Sequence, residues 1–373
     1  MDYDLKRPLN TLFSAGEQFQ KYSNIKSELM YGDLSKAAPA FTVLIPTFRR
    51  SIQLVEAVQS ALDQTIDPSK YEVLIIDNEY DRCSVSLEMV RMLKTDNLFY
   101  YQNKQNLGVF GNWNRGFELA RTEWICMLHD DDILYPHALA AIEAMLMLVD
   151  RNKTAALSPD FDIAEHVNGK WVCRARPPLH FWRKALQNRL ILRSMLRLQL
   201  GLRDDPIAPT CGTALNRQAV LSVGGFHDQY KSEDLYLLYS LSTRYLCYTT
   251  KQIWGQYRWG NNLSLDDATK VGLLKDILME NDYFLKFPQK GFISGIERWF
   301  RKRVKYLWCI APFFKQLDSE LRDSFIASYF AEWKDYVPTR YEKMAFKLRS
   351  LLPRVYDIIA TFLSKKDSNY VKS

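Results

Sequence analysis

Four short apolar runs in the first half of the chain are separated by stretches with helical periodicity. The runs are rich in β-branched and aromatic residues and end at polar or turn residues, which is typical of buried strands. They cover residues 41–46, 71–76, 98–102 and 125–128. Helical spacing occurs in residues 51–62, 85–93, 113–120 and 138–149, with Ser51 a candidate N-cap. This alternation predicts a mainly parallel sheet covered by helices on both faces.

Acidic residues follow two of the predicted strands. Asp77 comes after the second run, and Asp130, Asp131 and Asp132 come after the fourth. Because the carboxyl ends of parallel strands meet at one edge of a sheet, we expect these side chains to share a crevice. Three adjacent carboxylates repel each other, and Mg²⁺ or Mn²⁺ would supply the missing positive charge. The alternative interpretation is a solvated acidic turn that caps the next helix.

The second half of the chain is less regular. Residues 181–202 have the pattern of a basic amphipathic helix, residues 209–215 that of a strand, and residues 217–223 that of a short helix. Glu233 and Asp234 then begin an apolar helix, where both would complement the helix dipole. Capping explains one acid more easily than two.

Three regions follow from this pattern. Residues 1–38 are expected to be an N-terminal extension with a helical piece near 12–22, and residues 39–268 a nucleotide-binding catalytic domain. Residues 269–373 are expected to be a helical C-terminal region.

Composition places the chain among globular proteins. Hydrophobic residues make up 47% and charged residues 25%. The 6 cysteines are scattered without a C-x-x-C pair, which argues against a disulfide framework or a zinc cluster and suits a reducing cytoplasm. The first residues lack the apolar core of a signal peptide, and no uncharged apolar run approaches the ~20 residues needed to span a bilayer. We therefore expect a cytoplasmic protein, either soluble or peripheral on the inner face of the cell membrane.

Positive charge is concentrated in two segments, within a formal net charge of +7. Residues 174–203 contain eight Lys or Arg and no acid, and residues 298–308 interleave cations with aromatic rings. Both segments suit phosphate, pyrophosphate or a lipid surface, although solvated helix faces explain each one equally well. No nucleic-acid recognition motif is present, so no nucleic-acid partner is expected.

Two common nucleotide-binding motifs are absent from the sequence. There is no G-x-G-x-x-G after the first strand and no G-x-x-x-x-G-K-[ST] anywhere. A dinucleotide dehydrogenase or a P-loop NTPase is therefore unsupported.

A series of short motifs, in order along residues 40–265, resembles glycosyltransferase family 2, the inverting enzymes with the GT-A fold. The motifs are 43–49 (VLIPTFR), 75–78 (IIDN), 106–108 (NLG), 114–116 (NRG), 129–132 (HDDD), 224–226 (GGF), 233–234 (ED), 257–258 (YR) and 262–264 (NLS). The resemblance implies a GT-A type α/β fold with a C-terminal helical extension.

The resemblance also implies which residues hold the donor. These are Pro46, Thr47, Arg49, Asp77, Asn106, Asn114, Asp130, Asp131 and Arg258. Asp77 would accept a hydrogen bond from the ring N–H of uracil or an equivalent base, and Arg258 would contact the diphosphate.

The resemblance further implies the metal ligands and the catalytic pair. Asp130 and Asp132 would bind Mg²⁺ or Mn²⁺, and Glu233 and Asp234 would form the catalytic pair, with Asp234 as general base. A carboxylate suits this task because the transition state acidifies the attacking hydroxyl.

Three departures from the family pattern affect these assignments. His129 stands where many members have the first aspartate of the metal motif, so we favour Asp132 as ligand with Asp130 assisting. Asn78 replaces a frequent second aspartate, and Trp259 follows Arg258 where many relatives have a nearby His.

The implied activity is transfer of a sugar from a nucleotide-sugar, most commonly a UDP-sugar, to a saccharide hydroxyl. With the basic segments, this suits a polyprenyl-pyrophosphate-linked acceptor in surface polysaccharide synthesis, of the O-antigen or capsule type. Two alternatives stay open. A metal-dependent nucleotidyltransferase or phosphohydrolase also uses aspartates at strand ends, and a degenerate relative would act as a scaffold or partner subunit.

Overall fold

A single mixed sheet organises the part of the chain that the computed structural model describes. That part comprises residues 18–81, 84–175, 190–192, 211–228, 231, 233–242, 244–260, 267–273, 275–276, 319–320, 323–324 and 340. Its strands are β1 (Ser27–Tyr31), β2 (Phe41–Thr47), β3 (Tyr71–Asp77), β4 (Leu98–Asn103), β5 (Trp124–Met127), β6 (Ile133–Leu134), β7 (Thr154–Val167), β8 (Lys170–Cys173), β9 (Ile191–Leu192), β10 (Ala214–Asn216) and β11 (Leu246–Trp259).

The strand order separates a parallel half from a mixed half. Along the sheet the order is β1-β4-β3-β2-β5-β10-β7-β11-β6, with β8 beside β7 and β9 beside β11. Neighbours from β4 to β5 are parallel, as the apolar runs predicted. β10 is antiparallel to both β5 and β7, whereas β7 and β11 are parallel. The fold is therefore a mixed α/β sheet flanked by helices.

Helices cover both faces of this sheet. Those that the structure delimits are α1 (Gln18–Lys21), α2 (Ser51–Leu62), α3 (Val85–Met92), α4 (Gly108–Leu119), α5 (Ala138–Leu146), α6 (Arg217–Ser222) and α7 (Glu233–Ser242). On the first face, α2, α3 and α5 pack into one apolar core, and on the second face α4, α6 and α7 pack into another. Every residue of β2, β3, β4 and β5 is buried, because both of their faces are covered.

Element boundaries differ from the sequence predictions by three residues or more in two helices, α4 and α5. α4 begins at Gly108 rather than residue 113, and Gly111 lies where a Cβ would come 2.7 Å from the ring of Tyr22. Glycine lowers helix propensity, so the pattern hid this first turn. α5 ends at Leu146, three residues before the predicted end. The cap position of α2 is Arg50, and Ser51 is the first helical residue.

The N-terminal extension contributes to the sheet. Strand β1 pairs antiparallel with β4 and forms one edge, which the sequence analysis did not predict. Within the described part of residues 12–22, only α1 is helical, and residues 1–17 lie outside the described part. Arg115 holds the segment between α1 and β1 by donating to the carbonyls of Tyr22 and Ile25 at 2.8 and 2.6 Å.

Several predicted segments lie wholly or partly outside the described residues. Of the predicted basic helix at 181–202, only residues 190–192 are described, and Ile191–Leu192 is instead strand β9. The segment 298–308 is outside the described part, as are residues 341–373. Among the described helices, none is both long and apolar enough to cross a bilayer.

Candidate active site

The predicted acidic residues lie at the carboxyl ends of two parallel strands, β3 and β5, which flank β2. Thr47 at the end of β2 pairs in register with Asp77 at the end of β3. Strand β5 lies on the other side of β2, and the aspartate triplet begins three residues beyond its end. This is the sheet edge at which open α/β folds bind ligands.

Asp130 is held by the loop that follows β2. Its Oδ2 accepts a hydrogen bond of 2.7 Å from the Thr47 hydroxyl, and its Oδ1 lies 3.2 Å from a guanidinium nitrogen of Arg50. The same Arg50 nitrogen donates to Asp131 at 2.5 Å. Burial, together with the charge of Asp131, raises the pKa of Asp130 to about 6. Both oxygens of Asp130 are therefore already engaged by protein groups.

Asp132 has the character of a metal ligand. It is fully buried, and its Oδ1 accepts a 2.8 Å hydrogen bond from the backbone N–H of Arg258. Its Oδ2 lies 3.2 Å from Nδ1 of His129 and receives no well-aligned hydrogen bond from the residues that the structure describes. A buried carboxylate oxygen left in this state is costly unless a cation or a donor compensates it.

A cluster suited to a divalent cation surrounds that oxygen. One ligand atom each from His129, Asp131 and Asp132 lies within 4.8 Å of the others. Imidazole and carboxylate groups suit Mn²⁺, and carboxylates suit Mg²⁺. The geometry thus groups Asp131 with Asp132, whereas the sequence analysis paired Asp130 with Asp132. The difference arises because Thr47 and Arg50, which are distant in sequence, together engage both oxygens of Asp130, whereas the recorded contact of Arg50 with Asp131 involves one oxygen.

Arg258 reaches the triplet through its backbone. Its guanidinium group contacts Glu56 of α2, lies 3.3 Å from Gln256 Oε1 and stands 5.0 Å over the ring of Trp171. The side chain that was predicted to contact a diphosphate is therefore turned toward α2 in this structure.

Asp77 lies in a buried pocket beside the crevice. Its Oδ2 accepts a 2.5 Å hydrogen bond from the Tyr100 hydroxyl, and its Oδ1 accepts one of 2.9 Å from the Glu79 N–H. Burial raises the pKa of Asp77 to about 6. Next to it, the Asn78 side chain donates to the carbonyl of Gly108 and accepts from the N–H of Leu107, so it joins β3 to the start of α4.

The other predicted donor residues occupy different environments. Pro46 is buried within β2, and Asn106 accepts a 2.8 Å hydrogen bond from the N–H of Gly108, the first residue of α4. Arg49 is exposed, adopts a left-handed φ of 57° and pairs with Glu79 at 2.8 Å. These residues border the strand ends without contacting the aspartate triplet through a hydrogen bond that the structure records.

Asn114 holds the turn before α7. Its buried amide donates to the carbonyl of Phe226 at 2.7 Å and accepts from the N–H of the same residue at 2.8 Å. At the preceding Gly225, φ is +76° and a Cβ would come 2.3 Å from Asn114 Oδ1, so glycine is required. Asn114 was predicted to bind the donor, but its recorded hydrogen bonds both go to this turn.

The two acids at the start of α7 have different environments. Glu233 is 1% exposed, and its Oε1 accepts from the backbone N–H of His227. Its Oε2 has no hydrogen-bond partner among the described residues, and burial raises its pKa well above the usual range. Asp234 is half-buried in the first turn. Glu233 thus fixes the turn from inside, while Asp234 is the more accessible carboxyl group.

Trp113 connects the two acidic groups, and the sequence analysis did not single it out. Its ring stacks on His129, with 5.3 Å between centroids, and meets Phe226 edge-on at 5.0 Å. His129 belongs to the carboxylate cluster, and Phe226 precedes the residue that Glu233 holds. In the sequence, the signal for Trp113 was an aromatic residue directly before Asn114. Helical periodicity alone would assign such a residue to the core.

Comparison with known proteins identifies the family. Residues 42–223 match the model of "Glycosyl transferase family 2". The region formed by these residues therefore belongs to this family. The matched region contains the ends of β2 and β3 and the whole aspartate triplet, and it ends before α7.

Among curated relatives, a Campylobacter jejuni protein named GalNAc(5)-diNAcBac-PP-undecaprenol β-1,3-glucosyltransferase is 30% identical over 105 residues. That match covers 28% of this chain and 33% of the relative. For the first three curated relatives, the matched region spans 30 to 61% of the relative's own length.

Solved structures share the fold. Staphylococcus aureus TarS residues 1–349, solved with UDP-GlcNAc, superposes with a TM-score of 0.57 at 16% identity, covering 86% of this chain and 89% of the other. The Pyrobaculum calidifontis mannosyltransferase PcManGT, solved with GDP-Man and Mn²⁺, gives 0.50 at 15% identity, covering 95% and 93%. The GT-A fold expected from the sequence motifs is therefore confirmed.

Proposed function

We propose that this protein is a metal-dependent inverting glycosyltransferase that transfers a sugar from a nucleotide-diphosphate donor to a saccharide hydroxyl. One observation carries the proposal. The fully buried Asp132 presents a carboxylate oxygen that receives no well-aligned hydrogen bond from the described residues and lies beside Asp131 and His129, at the ligand-binding edge of a family 2 fold.

Donor recognition is assigned to the strand ends. Asp77 accepts a hydrogen bond from the base, in a pocket whose Tyr100 and Glu79 contacts orient the carboxylate. Thr47 and Arg50 hold Asp130 and Asp131 beside the diphosphate position. His129, Asp131 and Asp132 would hold Mg²⁺ or Mn²⁺, which when bound stabilises the negative charge of the departing nucleoside diphosphate.

Proton removal is assigned to Asp234. As the acceptor oxygen attacks the anomeric carbon from the face opposite the leaving group, Asp234 takes the hydroxyl proton. The new C–O bond forms while the bond to the diphosphate breaks, and the leaving group departs with the electron pair. Glu233 acts as a positioning residue, since its recorded hydrogen bond holds the turn before α7.

The proposed donor and acceptor are inferred from what the related proteins were solved with or are named for. A UDP-sugar donor is supported by the fold shared with TarS, which was solved with UDP-GlcNAc. A polyprenyl-pyrophosphate-linked acceptor in surface-glycan synthesis is supported by the C. jejuni relative named for an undecaprenol-linked substrate. The basic segments of the sequence suit transient contact with an anionic membrane surface carrying such an acceptor.

A thermal-shift panel tests the donor site. UDP, GDP, dTDP and CDP are each measured with Mn²⁺ and with EDTA. We expect one nucleotide to raise Tm by about 5 °C at 100 times its Kd, and the shift to vanish with EDTA. A panel in which no nucleotide stabilises the protein in Mn²⁺ would contradict the proposed function.

The pH dependence of donor binding tests Asp77. The carboxylate form accepts the base N–H, and burial places its pKa at about 6. Kd should therefore rise as pH falls through about 6 and approach a tenfold rise per pH unit below that value. With the ordinary carboxyl pKa of about 4, the same rise would begin only near pH 4. Titration calorimetry with the nucleotide-sugar avoids protonation of a terminal phosphate. Asp77→Asn should bind the nucleotide-sugar weakly, and its Kd should lack the change near pH 6. An identical pH profile in the two proteins would refute the assignment.

A further inference from the structure

Three residues of the N-terminal extension contact the turn that precedes α7. They are Phe19, Lys21 and Tyr22, and we call them the N-terminal clamp. Lys21 pairs with Asp228, and the Tyr22 hydroxyl lies 3.3 Å from the same Asp228 Oδ2. The Phe19 ring lies against the turn itself, because a Cβ on Gly225 would come 2.7 Å from its Cζ. The two contacts with Asp228 join positions that are 207 and 206 residues apart in the chain.

Helix α4 holds the N-terminal clamp in place. Arg115, which is 8% exposed, donates to the carbonyls of Tyr22 at 2.8 Å and Ile25 at 2.6 Å. The Tyr22 ring lies against Gly111, where a Cβ would come 2.7 Å from the ring atom Cε2. A buried guanidinium needs such acceptors, so this backbone cannot move without removing them from Arg115. The clamp is therefore held at a fixed position on α4.

Buried groups hold the turn from the inside. The Asn114 amide bonds to both backbone groups of Phe226, and the His227 N–H donates to Glu233. Asp228 is the next residue, and it is exposed and contacts the N-terminal clamp. Because Glu233 is the first residue of α7, a shift of this turn moves the start of α7 with it.

The ion pair of the N-terminal clamp affects geometry more than stability. The side chains of Lys21 and Asp228 are 48% and 33% exposed, and a pair with that exposure adds little to the free energy of unfolding. A shift of a catalytic carboxylate by about 1 Å, however, can lower a rate about 10²-fold. The effect of the clamp is therefore expected in the rate of proton removal rather than in Tm.

We propose that the N-terminal clamp positions the first turn of α7, and with it Asp234, for proton removal, and this proposal rests on the proposed function. Phe19, Lys21 and Tyr22 are positioning residues, because their recorded contacts reach the turn and α4 but not the aspartate triplet. The clamp acts on kcat and leaves nucleotide binding to the strand ends.

Hydrogen exchange in the full-length chain tests the N-terminal clamp without a substrate. Lys21→Glu places a second negative charge against Asp228 and should speed exchange of the Phe226 and His227 amides about tenfold. The double variant Lys21→Glu/Asp228→Lys has an opposite-charge pair again, so both exchange rates should return to those of the unaltered protein. Phe19→Ala, which removes the ring from the turn, should speed exchange of the same two amides.

Donor hydrolysis tests the consequence for catalysis. The probes are UDP-GlcNAc, UDP-Glc, UDP-Gal and GDP-Man, each with Mn²⁺ and with water as the acceptor, and the released nucleoside diphosphate is measured. The bond from the anomeric carbon to the diphosphate breaks and its electron pair leaves with the diphosphate. A C–O bond to water forms, and Asp234 takes the water proton. We expect Lys21→Glu and Phe19→Ala each to lower this rate about tenfold at unchanged nucleotide Kd, and the charge-swapped double variant to recover it.

Lys36→Glu is the matched control. Lys36 also belongs to the N-terminal extension, has the same 48% exposure as Lys21 and pairs with Asp96 at 3.0 Å. It precedes β2, at the end of the parallel strands opposite the site. Its hydrolysis rate and its exchange at the turn amides should match those of the unaltered protein.

The outcomes separate this inference from the proposed function. Tm is measured on every variant to show that each one folds. A hydrolysis rate that stays unchanged in both Lys21→Glu and Phe19→Ala, or that falls equally in Lys36→Glu, overturns this inference alone. Turn amides that exchange at unaltered rates in both clamp variants do the same. If the unaltered protein releases no nucleoside diphosphate from any donor, the proposed function is overturned, and the role of the clamp in proton removal with it.

Discussion

Asp132→Asn is expected to lower kcat for sugar transfer by about 10³-fold and to remove the Mn²⁺-dependent part of nucleotide binding. The amide keeps the shape of the side chain and can still accept from the Arg258 N–H. It removes the negative charge that the buried Oδ2 offers to a cation. Transfer kinetics and the thermal shift with and without EDTA measure the two effects.

Two comparisons make this result specific. Asp96→Asn changes an aspartate whose side chain is 94% exposed, so its activity should match that of the unaltered protein. Asp131→Asn should weaken the metal response more than Asp130→Asn, because only Asp131 belongs to the cluster with His129 and Asp132. Full activity and an unchanged metal response in Asp132→Asn would refute the proposed centre.

Asp234→Asn is expected to lower kcat by about 10² to 10⁴-fold while nucleotide binding stays intact, because the amide cannot accept the acceptor proton. The measurement combines transfer rates with nucleotide Kd. A scaffold protein would show no transfer in either form, and a nucleotidyltransferase would not depend on this distant residue. Normal transfer by Asp234→Asn would therefore remove Asp234 from the mechanism.

Glu233→Gln is the matched control for Asp234→Asn. The Gln carbonyl can still accept from the His227 N–H, and burial of Glu233 disfavours its charged form and raises its pKa. We expect a much smaller loss of kcat than in Asp234→Asn, since the geometry of the turn is kept. A loss as large as that of Asp234→Asn would assign Glu233 a direct part in the chemistry.

The order of strands and helices in the first half could be predicted from the sequence, because burial on both faces leaves uninterrupted apolar runs. All four predicted strands occur within about one residue of their expected bounds. The position of Asp77 and of the triplet at strand ends follows from the same pattern. The family resemblance, carried by short motifs around these ends, is confirmed by the family match over residues 42–223.

Hydrogen-bond partners distant in sequence could not be predicted. Asp130 and Asp131 are chemically identical in the sequence, and the structure separates them because Arg50 contacts both while Thr47 donates to Asp130. Likewise, Asn114 was predicted to bind the donor, yet its amide bonds to Phe226, 112 residues away. Such pairings depend on side-chain direction, which local periodicity does not encode.

By itself the sequence determined the α/β class, the strand ends that carry the acids, and the family. These features depend on local apolar patterns and on motif spacing. Tertiary structure decided which carboxylates share a cluster, that Arg258 reaches Asp132 through its backbone, and that β1 completes the sheet. The physical reason is that strand register and helix packing fix distances between residues that are far apart in the chain.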